Sequence, residues 1–335
     1  THENTRPPPS GRREALATRC EYDFYTGGLP PCLFPGDCLM KIALGQFAVT
    51  AEWSANLAQC VAFAERAATE GAKLLVLPES IIAADVKDLG ITVRTAQPLD
   101  GPFVTGLVKA LEGTDLTVIG CISVPARPGF AYNTQIVVNR TGVIAAYRKL
   151  HLYDAFSMKE SDHYVPGDEV PALVRIGDIN VGLMTCYDVR FPELARRLAL
   201  DGADLLTVPA AWVRGPSKEW HWEVMVTARA LENTCYVAAV GECGPRNIGC
   251  SMMVDPLGVA VARAGITPDL LLCEIHPDRI AAARQALPVL ANRRFAEPEL
   301  RIQNAAEVID PRHSFAGTLL FGVVTARVPN SAGSL

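Results

Sequence analysis

The chain has 335 residues, of which 49% are hydrophobic and 20% charged, so it can bury the core of one large domain or two modest ones. Its formal net charge of -5 argues against nucleic acid as the main partner, because phosphate binding favours basic surfaces. The longest apolar runs, such as residues 74–77 and 237–240, are the size of strands and too short to span a bilayer, so no membrane partner is expected.

The first 39 residues differ in composition from those that follow. They are rich in Pro, Gly and Arg and lack the continuous apolar segment of a secretory signal. We predict that residues 1–39 form a flexible N-terminal extension and that one domain spans residues 40–300. Residues 301–335 are predicted to form a C-terminal tail, in which residues 317–328 are apolar.

From Met40 onward, the sequence alternates between strand and helix patterns. The predicted strands are 41–47, 73–77, 116–122, 133–139, 143–148, 172–176, 179–184, 204–208, 236–240 and 270–275. The predicted helices are 53–69, 103–111, 192–200, 218–232 and about 278–286. Turn residues join several strand pairs into hairpins, as at Arg140-Thr-Gly142. Hairpins interleaved with paired helices predict an α/β domain of two sheets, each with helices on one side.

The ten cysteines are scattered through strand-like and helix-like segments without a CxxC pair. Reduced thiols in a cytosolic protein are the simpler interpretation, so we predict a cytoplasmic location. Most of these cysteines should be small buried side chains, since free cysteine is usually buried. A catalytic cysteine must therefore be distinguished by its surroundings.

Four polar residues lie just after predicted strands or in the long loop between two of them. They are Glu79, Lys149, Glu160 and Cys186. Strand ends at one sheet edge are where side chains from distant parts of a sequence converge in α/β enzymes. The long separations between Glu79, Lys149 and Cys186 are suited to separate strands. We therefore expect these side chains to share one site.

Together, these residue types predict nucleophilic chemistry. A cysteine becomes a strong nucleophile as its thiolate, which a nearby cation or base promotes. Cys186 lies between a strand and a helix that begins near Phe191, so helix-end amides could help polarise the site. A buried glutamate can take the thiol proton and later deliver it to a leaving amine, while an ammonium and backbone N–H groups hold an oxyanion. This chemistry requires no metal, and we expect no cofactor.

The segments around these residues resemble the nitrilase superfamily of carbon–nitrogen hydrolases. The resemblance covers the predicted domain and neither extension. The matching segments are Leu77-Pro-Glu79, Tyr147-Arg-Lys-Leu-His-Leu-Tyr-Asp154, Lys159-Glu-Ser161, Pro166-Gly167, Thr185-Cys-Tyr-Asp-Val-Arg-Phe-Pro-Glu-Leu194, His221-Trp-Glu223 and Ala228-Arg-Ala-Leu-Glu-Asn233.

The resemblance implies a four-layer α-β-β-α sandwich and a Glu-Lys-Cys triad. By position, Glu79 would be the general base and then acid, Lys149 would stabilise the tetrahedral intermediate, and Cys186 would form the acyl-enzyme. Glu160 resembles a second glutamate that positions the substrate or Lys149, and the backbone N–H of Tyr187 would join Lys149 in the oxyanion hole. Homo-oligomers, commonly dimers packed through helices near the nucleophile, are also implied.

Other residues near these motifs have two possible roles each. Trp212 is expected to line the substrate pocket, with core packing as the alternative. His151 is expected to structure its loop and not to act as a Cys–His partner. Asp188 and Arg190 are expected to take part in ion pairs around the turn that carries Cys186.

Within the superfamily, residues 149–161 most resemble the Nit-type amidases, which include omega-amidases and enzymes that hydrolyse deaminated glutathione. The predicted function is hydrolysis of the amide C–N bond of a small carboxylate-bearing molecule, with release of ammonia. Nitrile hydrolysis is disfavoured because Tyr187-Asp follows the cysteine in place of Trp-Glu. An N-carbamoyl amino acid amidohydrolase stays open as an alternative. A catalytically silent binding or assembly subunit is a more distant one.

Overall fold

The computed structural model describes residues 39–85 and 87–301. The predicted N-terminal extension and C-terminal tail lie outside the described residues, apart from Leu39 and Arg301 at their boundaries.

Twelve strands and seven α-helices occur within the described residues. The strands are β1 Met40–Gln46, β2 Leu74–Val76, β3 Thr117–Pro125, β4 Ala131–Asn139, β5 Gly142–Arg148, β6 Val174–Ile176, β7 Ile179–Leu183, β8 Leu205–Ala210, β9 Tyr236–Gly241, β10 Met252–Val254, β11 Ala260–Arg263 and β12 Asp269–Ile275. The helices are α1 Trp53–Thr69, α2 Ile91–Arg94, α3 Pro102–Ala110, α4 Pro192–Leu200, α5 Lys218–Asn233, α6 Pro277–Ala286 and α7 Val289–Asn292. Two 3-10 helices span Glu160–Asp162 and Cys186–Arg190.

The strands form two six-stranded mixed sheets. The first has the order β12-β1-β2-β3-β4-β5, and the second has the order β11-β10-β9-β8-β7-β6. Strands β1, β2 and β3 are parallel, as are β7, β8 and β9, while the outer pairs of each sheet are antiparallel. Parallel neighbours need long crossovers, which is why helices separate them in sequence.

The apolar residues sort into two cores that define four layers. Ala43 of β1 packs with Phe63 of α1 and Leu107 of α3 on the outer face of the first sheet. Its neighbours Ile42 and Leu44 point to the opposite face, where they join a core shared with the second sheet, α4 and α5. The order of layers is therefore helix, sheet, sheet, helix, which confirms the predicted α-β-β-α sandwich.

The helix boundaries follow from local sequence signals. The predicted helix over 53–69 is confirmed as α1, and Gly71 follows it with a φ of +77°, a conformation that favours glycine. Proline is the first residue of α3, α4 and α6, where its missing N–H is not needed. The structure places no helix in residues 39–85 and 87–301 that is long and apolar enough to cross a membrane.

Candidate active site

The four polar residues predicted from strand ends and from the long loop come together at one site. Glu79 follows β2, Lys149 follows β5 and Cys186 follows β7, so strands of both sheets contribute. The Lys149 Nζ atom lies 3.0 Å from Glu79 Oε1 and 2.8 Å from Glu160 Oε2. Cys186 lines the same cavity as Glu79, and its thiol helps to lower the pKa of the Glu79 carboxyl. Exposed fractions of 2% for the Lys149 side chain and 5% for that of Glu79 show that this cluster is shielded from solvent.

Cys186 occupies a strained turn between β7 and α4. Its φ is +46°, a region that non-glycine residues rarely adopt and that costs about 1–3 kcal/mol. The first hydrogen bond of the 3-10 helix here runs from Asp188 N to Thr185 O at 2.9 Å. The N–H groups of Cys186 and Tyr187 precede that bond, so the helix itself does not use them. They can serve an oxyanion formed beside the sulfur.

Asp188 fixes this turn to β5, the strand that Lys149 follows. The carboxylate of this fully buried residue accepts hydrogen bonds from the backbone N–H of Thr185 at 2.9 Å and from the Tyr147 hydroxyl at 2.8 Å. Its other oxygen lies 2.7 Å from His151 Nδ1, and the His151 ring stacks on Phe191 with centroids 3.7 Å apart. His151 thus has the structural role expected of it. Asp188 pairs with His151 and not with Arg190.

Asn133 is a site residue that the sequence did not indicate. Its Nδ2 atom donates to Glu79 Oε1 at 2.7 Å and to Glu160 Oε1 at 3.0 Å. The cause is strand register, because Lys149 N donates to Asn133 O at 2.8 Å across β4 and β5. The sequence could have indicated Asn133 only as a polar residue paired with Lys149, and that pairing is not known until β4 and β5 are aligned.

Backbone contacts hold the two glutamates in place. The second carboxylate oxygen of Glu79 accepts the N–H of Ala211 at 2.8 Å, and Glu160 Oε2 accepts that of Tyr153 at 2.6 Å. The loop between Lys149 and β6 passes so close to β5 that a side chain at Gly167 would meet the carbonyl oxygen of Arg148 at 2.2 Å. Glycine is therefore required where this loop closes over the site.

The charges of the cluster decide which group holds the proton at rest. Burial raises the pKa of Glu79, but the Lys149 charge and hydrogen bonds from Cys186 outweigh it, so the net pKa is lowered. Burial lowers the pKa of Lys149, yet the Glu160 and Glu79 carboxylates raise it well above its usual value. Burial and the Glu79 charge raise the pKa of Cys186. The resting site is thus an ionised Glu79, a charged Lys149 and a neutral thiol.

Two cavities meet at Cys186. The large cavity has a volume of about 190 Å³ and the small one about 20 Å³. Glu79, Lys149 and Glu160 line only the large cavity. The walls of the small cavity are Tyr153, Cys186, Tyr187, Arg190, Ala211, Trp212, Val213 and Lys218. Tyr187, predicted to contribute to the oxyanion hole, and Trp212, predicted to line the substrate pocket, are both in its wall.

The small cavity contains two cations without a carboxylate partner among the described residues. Lys218 Nζ donates to the Tyr153 hydroxyl at 2.8 Å and lies over the Phe156 ring at 3.7 Å. Arg190 lies over the Trp212 ring at 4.8 Å, and its buried Nε atom has no hydrogen-bond partner. Burial, followed by the neighbouring Arg190 charge, lowers the pKa of Lys218. An anion in this cavity would relieve both effects.

No group of three or more His, Cys, Asp or Glu side chains in the part of the chain that the structure describes is arranged to hold a metal ion.

Comparison with known proteins gives consistent matches. The family model described as carbon-nitrogen hydrolase matches residues 41–285. The deaminated glutathione amidase of Escherichia coli O157:H7 is 47% identical over 261 residues, which are 78% of this chain and 100% of that protein. Nit3 of Saccharomyces cerevisiae, a member of branch 10 of the nitrilase superfamily, is 30% identical with a TM-score of 0.68 over 77% of this chain and 97% of its own. A variant of the amidase from Nesterenkonia sp. AN1 is 26% identical with a TM-score of 0.65, over 76% of this chain and 94% of its own. In that structure the acetamide moiety of fluoroacetamide is added covalently at the active-site cysteine.

Proposed function

The chain belongs to the carbon–nitrogen hydrolase family, and from this premise we propose that it cleaves an amide of a small carboxylate-bearing molecule through an acyl-enzyme on Cys186. The substrate we propose is deaminated glutathione, on which the 47% identical relative acts by name. Glutathione carries a carboxylate at each end, and its amide bonds are N-substituted. The leaving group would therefore be an amine, whereas a primary amide would release ammonia.

The convergence of Cys186, the Lys149 ammonium and the Glu79 carboxylate in the wall of one cavity is the observation that carries this proposal. As the proton passes to Glu79, the sulfur attacks the amide carbonyl carbon. The oxygen becomes an oxyanion, which the Lys149 ammonium and the Tyr187 N–H stabilise. Glu79 then gives the proton to the nitrogen, the C–N bond breaks, and a thioester on Cys186 remains.

Hydrolysis of the thioester reuses the same groups. Once the amine has left, a water molecule takes its place and Glu79 accepts one of the water protons as the oxygen attacks. The C–S bond breaks, the carboxylic acid is released, and the proton on Glu79 returns to the Cys186 sulfur. Asn133 and Glu160 act as positioning residues, because they hold the Glu79 carboxylate and the Lys149 ammonium in place.

The cations in the wall of the small cavity support an anionic group on the substrate beside Cys186. Lys218 and Arg190 are both in its wall, and neither is neutralised by an acidic side chain among the described residues. Burying a charge without a partner is costly, so two such cations beside a nucleophile favour an anionic ligand.

Mass spectrometry of the reaction tests this function directly. Purified protein incubated with deaminated glutathione should yield cysteinylglycine and the free dicarboxylic acid, and the Glu79→Gln variant should accumulate an acyl adduct on Cys186. A panel of primary amides and N-carbamoyl amino acids runs beside it. Carbon dioxide release from the carbamoyl compounds, with no amide cleaved, would contradict the proposal in favour of a carbamoylase.

The pH dependence of the reaction should distinguish the role of Lys149 from that of Lys218. The lowered pKa of Glu79 keeps this base ionised on the acid side, and the raised pKa of Lys149 keeps it charged on the alkaline side. We therefore expect kcat to stay constant from about pH 5 to about pH 9. KM should rise at the alkaline end, because Lys218, whose pKa is lowered, loses its charge before Lys149 does. Steady-state kinetics across this range measures both constants.

The Lys218→Arg variant is the control for this profile. Arginine keeps its charge at every pH of the series, so the alkaline rise in KM should disappear in this variant. If kcat instead fell on both sides of a narrow optimum near neutral pH, Glu79 would not be ionised and Lys149 not charged over the expected range.

We also propose that the protein forms a homodimer through α5. Trp220 and Leu231 on this helix are 65% and 41% exposed. Residues eleven apart in an α-helix lie on nearly the same face, so these two side chains lie on one side of α5, about 16 Å apart along its axis. A cytoplasmic location stays a prediction from the cysteine pattern.

Charge substitution on this face should dissociate the dimer. With Trp220→Glu and Leu231→Glu combined, sedimentation velocity should show a monomer where the unmodified protein sediments as a dimer, because buried apolar area drives association. The matched control is Leu272→Glu on β12, a site that is also 41% exposed, and it should leave the dimer intact. Equal effects of both changes, or none, would refute an α5 interface.

A further inference from the structure

The positions of the two cavities assign a side to the leaving group of the substrate. Glu79 delivers its proton to the leaving nitrogen, so that nitrogen must lie next to Glu79. Glu79 lines the large cavity and not the small one, whereas Cys186 lines both. The leaving group therefore lies in the large cavity, of about 190 Å³, since the small one, of about 20 Å³, has room for little more than one water molecule. This assignment rests on the proposed function.

The large cavity contains one arginine whose charge is not used by the protein. Lys149 is paired with Glu79 and Glu160, and Lys159, also in the wall, is paired with Asp162 at 2.8 Å. Half-buried Arg246 donates from Nη2 to the thioether sulfur of Met158 at 2.8 Å, which is its only side-chain hydrogen bond within the described residues. A thioether is a weak acceptor, so most of the guanidinium's hydrogen-bonding capacity remains.

The acidic side chains in the same wall are engaged elsewhere. Asp88 forms an ion pair with Arg94. Glu242 accepts the backbone N–H groups of Val49 at 3.1 Å and Gly244 at 2.7 Å, and burial raises its pKa.

Asp85 is the remaining acidic residue of this wall. It accepts the N–H of Lys87 at 2.8 Å and has no ion pair with Arg246. The described part of the chain therefore gives the Arg246 charge no internal counterion, although the residue is half withdrawn from water.

We propose that Arg246 binds a carboxylate carried by the leaving group. The planar guanidinium presents parallel N–H donors that match the two oxygens of a carboxylate. Together with Lys218 and Arg190 in the small cavity, it places positive charge on both sides of Cys186. The substrate class is then an amide with an acidic group on each side of the scissile bond. Arg246 determines specificity for the amine half and takes no part in the chemical steps.

A pair of substrates isolates this contact. Deaminated glutathione and its C-terminal carboxamide share the acyl group and the scissile amide and differ in the charge of the leaving group. In the Arg246→Gln variant, kcat/KM for the acid should fall about 10- to 100-fold, mainly through KM, because a charge-assisted hydrogen-bonded pair is lost. The carboxamide should lose less than about 3-fold. The Arg246→Lys variant should lie between the two, since it keeps the charge without the paired donors.

Arg214→Gln is the matched control. Arg214 is exposed, lies outside the cavity wall, and holds the carbonyl oxygen of Arg246 through its backbone N–H at 2.8 Å, which glutamine retains. The same loss of charge there should change kcat/KM of either substrate less than about 2-fold, because exposed charges are screened.

Three results would overturn the inference. Equal losses on the acid and the carboxamide in Arg246→Gln would assign this residue a structural role. A wild-type protein that cleaves both substrates equally well would have no carboxylate subsite for the leaving group. A wild-type protein that cleaves neither, while Arg246→Gln unfolds at the same temperature as the wild type, would refute the proposed function itself and this inference with it.

Discussion

Replacing Cys186 by alanine is expected to lower kcat by at least about 10⁴-fold while changing the free energy of unfolding by less than about 1 kcal/mol. The activity disappears because no other group can form the acyl-enzyme. The stability is retained because the Cys186 sulfur faces two cavities and leaves little packing behind. Turnover of deaminated glutathione and thermal unfolding measure the two effects.

Cys121 provides the matched control for this substitution. Its sulfur lies 3.6 Å from the hydroxyl of Thr185, the residue before Cys186, yet it lines neither cavity. Burial and the Glu79 charge raise its pKa well above the usual value. Cys121→Ala should therefore keep kcat within about 3-fold and cost about 1 kcal/mol of stability through lost packing. Retained turnover in Cys186→Ala, or its loss in Cys121→Ala alone, would mean that the nucleophile is misassigned.

Cys186 could be predicted as the nucleophile from sequence because its signals are local. A strand, a turn and a helix that begins with proline follow one another around Cys186, and that pattern depends on neighbouring residues only. Glu79 and Lys149 were found in the same way, as polar residues directly after apolar strands. Their roles, in contrast, were implied by the resemblance to a family and not by any pattern of spacing.

The residues that the sequence did not reveal depend on long-range pairing. Asn133 reads as an ordinary strand residue until β4 and β5 are aligned, which sets it opposite Lys149. Lys218 reads as an exposed first residue of a helix. It is buried because the preceding segment folds back, with Trp212 Nε1 donating to the Lys218 carbonyl at 2.9 Å. The one-turn helix Ile91–Arg94 was also missed, since four residues are too few to establish a helical period.

The charge of Lys149 compensates the two carboxylates beside it, so replacing this lysine is the second change from which we expect a large effect. It is buried between two carboxylates, so the Lys149→Met variant leaves Glu79 and Glu160 without their cation. Removing one partner of a buried ion pair costs about 3–5 kcal/mol, which should lower Tm by about 10 °C. Turnover should fall by at least about 10³-fold, because the oxyanion loses its ammonium. Thermal unfolding and kcat test both.

The exposed pair of Lys73 and Asp115, 3.3 Å apart, gives the control for a lysine-to-methionine change. Lys73→Met should cost less than about 0.5 kcal/mol, since surface ion pairs contribute little. The double variant Lys149→Met/Glu160→Gln should be more stable than Lys149→Met, because it removes one of the two stranded charges. If the double variant is less stable than the single one, the loss comes from packing and not from charge.

The pH dependence of stability distinguishes the same two causes without a further substitution. In the wild-type protein the pKa of Glu79 is lowered, so its contribution to stability is present above its pKa in the unfolded chain and is lost as the pH falls. In Lys149→Met the charge that lowered this pKa is gone and burial remains, so the pKa of Glu79 rises. Glu79 is then buried at little cost only in its protonated form, at low pH. As the pH increases and this carboxyl ionises, the folded state of the variant is destabilised. The difference in unfolding free energy between the two proteins should therefore narrow as the pH is lowered from about 8 to about 5. A difference that stays constant across this range would show that Lys149 stabilises the fold through packing and not through its charge.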